Sequence, residues 1–214
     1  MSIKEKIYFK LTRVYPQFWK FYRYMLWGKS DFNSQHDWDS RYEVKNNLEN
    51  RIPNVIKYVL ELSEKHNKIL EISAGFGNYV LKLDKNKEIY ATEFSDVALD
   101  YLRKHGVNCQ KALLPSLPYP DNIFDFVVSI SVFEHLKNRK MVMESFKECH
   151  RLTSNYFILV VPYNCMGPDD TLIHNFLFSK NDILKYTKNL FILESWNIIK
   201  DNITERSISL LKKI

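Results

Sequence analysis

One short stretch concentrates residue types that chemistry can use. "ILEISAGFGNY", residues 69–79, sets Glu71 inside an apolar run and places Gly75 and Gly77 one residue apart, in a chain with only five glycines. Glycine takes positive φ without penalty and leaves no Cβ in the way, so a flat ligand can lie against this main chain. Glu71, two residues before the end of that run, can reach into the loop or accept a bond from a ligand ammonium. A second carboxylate, Glu93 in "YATEFS", ends the next apolar run. A carboxylate there suits a ribose diol, because it can accept two hydrogen bonds at once. A dinucleotide loop instead requires a third small residue after the second glycine, and Val80 stands in that place.

The elements that must position these residues alternate. After a polar connection, "KSDFNSQHDWDSRY", the apolar period of residues 51–66 predicts a helix. Then follow the run KILEIS, a helix-like GNYVLKLDK, the run EIYATEF, a helix SDVALDYLRKHG, the short run VNCQKA and a proline-rich turn. FDFVVSIS, a helix through "MVMESFKECHRLT" and YFILVVPY continue the rhythm. Strands each followed by a helix predict parallel pairing with helices on both sheet faces. After the helix-like "SKNDILKYTKNL", "FILESWNII" and "TERSISLLKK" have too little chain between them for a crossover and must pair as a hairpin. The expected fold class is α/β: a doubly wound, mostly parallel seven-stranded sheet, Rossmann-like, with an antiparallel C-terminal strand.

Composition bounds the rest. Over 214 residues, 45% hydrophobic and 26% charged content describes a globular domain large enough for one core. Cys109, Cys149 and Cys165 are odd in number and form no C-x-x-C pair, so neither a disulfide framework nor a zinc site is expected. No apolar run spans a bilayer and the lysine-rich start is no signal peptide, so the expected address is the cytoplasm. Residues 1–30 carry seven basic residues against Glu5, a surplus equal to the whole chain's +6. The remainder is neutral, which disfavours a nucleic acid partner. The expected division is therefore an N-terminal basic aromatic arm or lid, 1–37, with helices separated at Pro16, and a catalytic domain, 38–214. The arm reads as a lid over the site, hinged at "KSDFNSQHDW", or as a peripheral membrane contact, since basic residues alternate there with Tyr and Trp.

Taken together, the order of elements resembles the class I S-adenosylmethionine-dependent methyltransferases. The marks are the E-x-x-x-G-x-G turn, the acidic end of the second strand, "LPYPDNIFDFVVS" and "SVFEHL" around the fourth strand, and the closing antiparallel strand. The similarity spans residues 38–211. It implies S-adenosylmethionine as cofactor, with Glu71, Ser73, Ala74, Gly75 and Gly77 around its methionine part. Glu93 accepts the ribose hydroxyls, Phe94 packs on the adenine, and Leu113, Leu114 and Ser129 complete the set. Ser73 stands where the family commonly has a glycine, and "CQKALLPSLPYP" lacks the acidic residue that usually contacts the adenine. "DWDSRY" resembles the segment that closes over the cofactor, making Trp38 and Tyr42 candidates for aromatic contact with the sulfonium; Tyr79 and Phe133 could serve similarly.

An alcohol or ammonium acceptor must lose a proton, which calls for a base such as histidine. Of six histidines, the resemblance places His135, beside Glu134, and His174 at the acceptor pocket, and either could be the catalytic base. No metal is implied, because "SISVFEHL" offers only Glu134 where a catechol-type relative clusters carboxylates. The implied activity is methyl transfer to oxygen or nitrogen of a small-molecule, glycan or lipid-linked acceptor. A nucleotide-dependent oxidoreductase and a non-catalytic membrane-surface binding protein are the alternatives.

Overall fold

The protein is described by a computed structural model covering residues 33–44, 52–164, 174–201 and 204–214. The basic arm, with the break expected at Pro16, lies outside the described residues. Seven strands form one sheet: β1 (Lys68–Ile72), β2 (Glu88–Glu93), β3 (Asn108–Lys111), β4 (Phe124–Ile130), β5 (Thr153–Asn164), β6 (Phe191–Asp201) and β7 (Thr204–Lys213). Their order is β3-β2-β1-β4-β5-β7-β6. The first five pair in parallel, and β7 runs antiparallel to both β5 and β6.

Side-chain alternation along the central strands divides the core into two layers. Leu70, Ile72, Val127, Phe157 and Leu159 pack against α4 (Arg139–Leu152) and α5 (Lys180–Thr187). Ile69, Phe126, Val128, Ile158 and Val160 pack on the opposite face against α2 (Pro53–Ser63), with α3 (Asp96–Lys104) on the same side. Both faces being covered explains why these strands read as nearly continuous apolar runs.

The expected antiparallel C-terminal strand is present and lies between β5 and β6, while two local expectations are corrected. β7 buries Ser207, Ile208, Ser209 and Leu211, as an interior strand must, whereas β6 leaves Ile192 and Ile198 exposed along the edge. The segment read as a polar connection contains a helix, α1 (Gln35–Val44). Its polar and aromatic residues form no apolar stripe, so no period announces it. The 37/38 arm boundary falls inside this helix. Finally, "GNYVLKLDK" makes only a 3-10 turn, Val80–Lys82, with no side-chain cap before it and Leu83 already extended at φ −68°, ψ 150°.

Two anchors matter for the site. Asp201, at the end of β6, accepts the Asn54 and Val55 amides at 2.8 and 3.1 Å, capping α2 from across the fold. Ser95 caps α3 immediately after Glu93, fixing the turn that follows β2.

Candidate active site

A cavity of about 420 Å³ opens beyond the carboxyl ends of the central strands. That is where open α/β sheets bind ligands, and the volume lies within the usual range for a small-molecule site. One end is the glycine loop. Ser73, Gly75 and Gly77 alternate through positive φ, at 53°, 55° and 73°. Ser73 thus occupies a position where L residues other than glycine are strained by roughly 1–2 kcal/mol. The loop is tied to β2 through Ala74 N–H to the Thr92 carbonyl at 3.0 Å. The Glu93 carboxylate accepts Gly75 N–H at 2.8 Å through one oxygen, and Phe94 and Ser95 N–H at 2.8 and 2.9 Å through the other. Burial raises its pKa against the pull of these three amides. Glu71, also buried, accepts the Val80 amide at 3.0 Å. Burial, with the nearby Glu93 charge, pushes Glu71 up to about 8.

The other end is built from three separate segments. Glu134 and His135 lie in a 3-10 turn, Phe133–His135, after β4. His174 comes from the connection after β5, and Arg206 from β7; all four line the cavity. The segments are zipped together: Asn175 and Phe176 amides donate to the Glu134 carbonyl at 2.6 and 3.1 Å, and Asn175 Nδ2 donates to the His135 carbonyl at 3.1 Å. The imidazoles stand 5.1 Å apart, His174 Nε2 is 4.0 Å from Glu134 Oε1, and donor atoms of all three residues fall within 4.8 Å of one another. Burial, reinforced by His135 and Arg206, lowers the His174 pKa to about 2. In this arrangement it is a neutral imidazole and a poor proton acceptor.

α1 spans the two ends. Its Trp38 meets His135 edge-on at 5.0 Å, and Tyr42 meets Phe76 at 4.8 Å. It is fastened by Gln35 Nε2 to Asp96 Oδ2 at 2.7 Å and by the Ser95 hydroxyl donating to Asp39. The Tyr42 phenol is buried over the loop, and burial together with Glu93 raises its pKa.

Of the residues expected from sequence, Glu71, Ser73, Ala74, Gly75, Glu93, Phe94, Leu113, Trp38, Tyr42, His135 and His174 line this one cavity. Gly77, Leu114 and Ser129 do not. An added Cβ on Gly77 would stand 2.8 Å from Leu102 and 2.9 Å from Leu81, so this glycine makes room for packing. Leu114 and Ser129 are buried beneath the site. Tyr79 and Phe133 are fully buried in the core, the latter against Phe146 at 4.8 Å. Sequence reasoning missed Arg206 and Asn33. Arg206 carried little signal, being one of three cations on β7 with Lys212 and Lys213. Asn33 donates to the His135 carbonyl at 3.4 Å and had none.

The methyltransferase domain family matches residues 70–159. No match was found among curated protein sequences. Among solved structures, a SAM-dependent methyltransferase of Aquifex aeolicus is 14% identical, covering 82% of this chain and 98% of its own, with a TM-score of 0.61. A possible histamine N-methyltransferase of Thermotoga maritima is 15% identical, covering 85% and 100%, with a TM-score of 0.64. The Synechocystis magnesium protoporphyrin IX methyltransferase, solved with bound SAM, is 13% identical and covers 100% and 99% at a TM-score of 0.59. At such identities the likeness speaks for the fold.

Proposed function

We propose that this chain is a class I S-adenosylmethionine-dependent methyltransferase, as the methyltransferase-domain match over residues 70–159 and the shared fold support, and that it methylates oxygen or nitrogen of a small-molecule, glycan or lipid-linked acceptor held at the Glu134–His135–His174 end of the cavity. The observation that carries this reading is the single cavity with two chemically distinct ends. S-adenosylmethionine, when bound, supplies a methyl group on a positively charged sulfur.

The chain's residues fit that ligand with one adjustment. A carboxylate offers about four acceptor sites, and three at Glu93 already serve backbone amides. Accepting both ribose hydroxyls therefore requires one amide to yield, and Gly75 N–H, on the loop, is the one not held next to Glu93 in sequence. Ionised Glu71 pairs with the ligand's ammonium. Phe94 and Leu113 flank the adenine, while Trp38 and Tyr42 turn aromatic faces toward the sulfonium, an attraction of roughly 0.5–2 kcal/mol.

At the other end His135 takes the acceptor's proton, and Arg206 orients an anionic or strongly polar acceptor group. The Arg206 Nε is buried and makes no hydrogen bond among the described residues, so it has a donor to offer. Holding donor and acceptor in near-attack geometry accounts for much of the rate, up to roughly 7–11 kcal/mol.

The test is incubation with methyl-labelled S-adenosylmethionine and fractionated small-molecule, glycan and lipid extracts, followed by identification of the labelled product. Label on a hydroxyl or amine in one of these fractions, lost with His135→Ala, is the expected result. Label on protein or RNA instead would overturn the acceptor assignment.

A further inference from the structure

We propose that Glu134, His135 and His174 bind one divalent first-row transition metal ion, whose remaining coordination positions hold the acceptor through oxygen. This rests on the reading of that end of the cavity as the acceptor's.

The geometry comes close to a coordination triangle. When three donor atoms lie within 4.8 Å of one another, a point exists no more than about 2.8 Å from each. Inward shifts of roughly 0.6–0.8 Å then reach the 2.0–2.2 Å bonds that imidazole nitrogen and carboxylate oxygen make to zinc. Side-chain rotation supplies such shifts without moving the backbone. The backbone is already set: the amides following His174 bond to the Glu134 carbonyl at 2.6 and 3.1 Å, and the Asn175 side chain bonds to the His135 carbonyl at 3.1 Å. Two segments far apart in sequence are therefore locked so that their donor side chains face one another.

The donor set selects the class of ion. Two imidazoles and one carboxylate suit zinc, manganese, iron, cobalt or nickel, whereas calcium and magnesium prefer oxygen ligands throughout. Three protein ligands leave positions open, as catalytic sites do and closed structural sites do not. All three residues line the cavity, so those positions face the space where an acceptor enters. Glu134 is completely buried, and buried charges are stable when paired or coordinated to a metal. With the ion in place His135 is a ligand rather than the base, and a hydroxyl bound to the ion ionises more readily, its proton passing to water at the cavity mouth.

The experiment uses the full chain after treatment with a chelator. Cobalt(II) is titrated while the visible d–d absorption is recorded, and zinc and magnesium are titrated by calorimetry. S-adenosylhomocysteine affinity is measured on every sample. The wild type should take up one cobalt or zinc ion, with magnesium far weaker. His174→Ala and Glu134→Gln should each weaken cobalt binding more than about 100-fold, while His105→Ala, an exposed histidine elsewhere, leaves it unchanged. S-adenosylhomocysteine affinity in the two ligand variants should stay near wild type, showing that they fold. If one does not fold, His135→Gln provides the same measurement. Failure of the wild type to bind cobalt or zinc, or binding unaltered in the ligand variants, would overturn the site. Metal uptake at this cluster without S-adenosylhomocysteine binding would uphold the metal site and refute the methyl-transfer reading of the cavity.

Discussion

β1 and β4 lie side by side and each leaves the sheet through a serine at positive φ, yet the two loops they launch are assembled in different ways. Each strand is followed by a serine at positive φ, Ser73 at 53° and Ser131 at 55°. Each turn is pinned to the neighbouring strand: Ala74 N–H to Thr92 O at 3.0 Å after β1, Ser131 N–H to Val160 O at 2.9 Å after β4. Beyond the turn they diverge. The loop after β1 completes its half of the site from contiguous residues and the end of the adjacent strand. The turn after β4 supplies Glu134 and His135 but needs His174 from beyond β5, Arg206 from β7 and Asn33 from before α1. One end presents backbone and carboxylates, the other side chains gathered from across the fold.

If the two ends divide the work this way, the largest effect should come from blocking the first. A Cβ on Gly75 would fall 2.9 Å from the Tyr42 hydroxyl, at a φ of +55° that β-branched residues avoid. Gly75→Val should therefore show no measurable S-adenosylhomocysteine binding by calorimetry while circular dichroism reports a folded chain. Retained affinity would break the assignment of this end to the cofactor. His135→Ala should do the reverse, lowering kcat by about 100-fold or more and leaving S-adenosylhomocysteine affinity within about twofold. An equal fall in both quantities would mean that the ends are not separable.

The same difference explains what could be read from sequence. Glu71, Gly75 and Glu93 are positioned by strand ends and turns whose signals lie within a few residues of them, so their meeting at one end of the cavity was legible. Gly77 lies outside the cavity lining, which sequence could not show, because a missing Cβ looks the same there whether the space goes to a ligand or to Leu102 and Leu81. The triangle was legible only in part: the resemblance placed His135, beside Glu134, and His174 at one pocket, but nothing local in the sequence brought their donor atoms together. "SVFEHL" contains two of its members, and the third is brought in only by hydrogen bonds between the Asn175–Phe176 segment and the turn after β4. α1 escaped because its stability comes from contacts at Asp96, Ser95 and Phe76 rather than from any apolar period of its own.

A third experiment sharpens the comparison through pH. Burial raises Glu71 from 4.5 to about 8 in the fold, so the native state holds a proton that the unfolded chain has released. Between those values stability must fall as pH rises, because the native state binds more protons than the unfolded one. A bound ammonium demands the ionised carboxylate, so S-adenosylhomocysteine affinity should move the other way, rising by up to about tenfold per unit between pH 6 and pH 8. Glu71→Gln should flatten both trends. An affinity that is flat in the wild type would remove Glu71 from the ligand's ammonium, leaving the carboxylate with only its structural bond to Val80.

The smallest effect tests whether the two turns are truly the same device. At a positive φ, replacing serine by glycine relieves roughly 1–2 kcal/mol of strain and gives back about 0.4–1 kcal/mol through the greater freedom of the unfolded chain. Ser73→Gly and Ser131→Gly should therefore each raise stability by about 0.5 kcal/mol in denaturant titrations. Equal gains would mean that the backbone turn is common to both strand ends and that the chemistry was added afterwards by what each loop meets. If Ser73→Gly gains nothing while Ser131→Gly does, the Ser73 side chain contributes to folding in its own right. Its hydroxyl, buried and without a hydrogen-bond partner among the described residues, gives no reason to expect that.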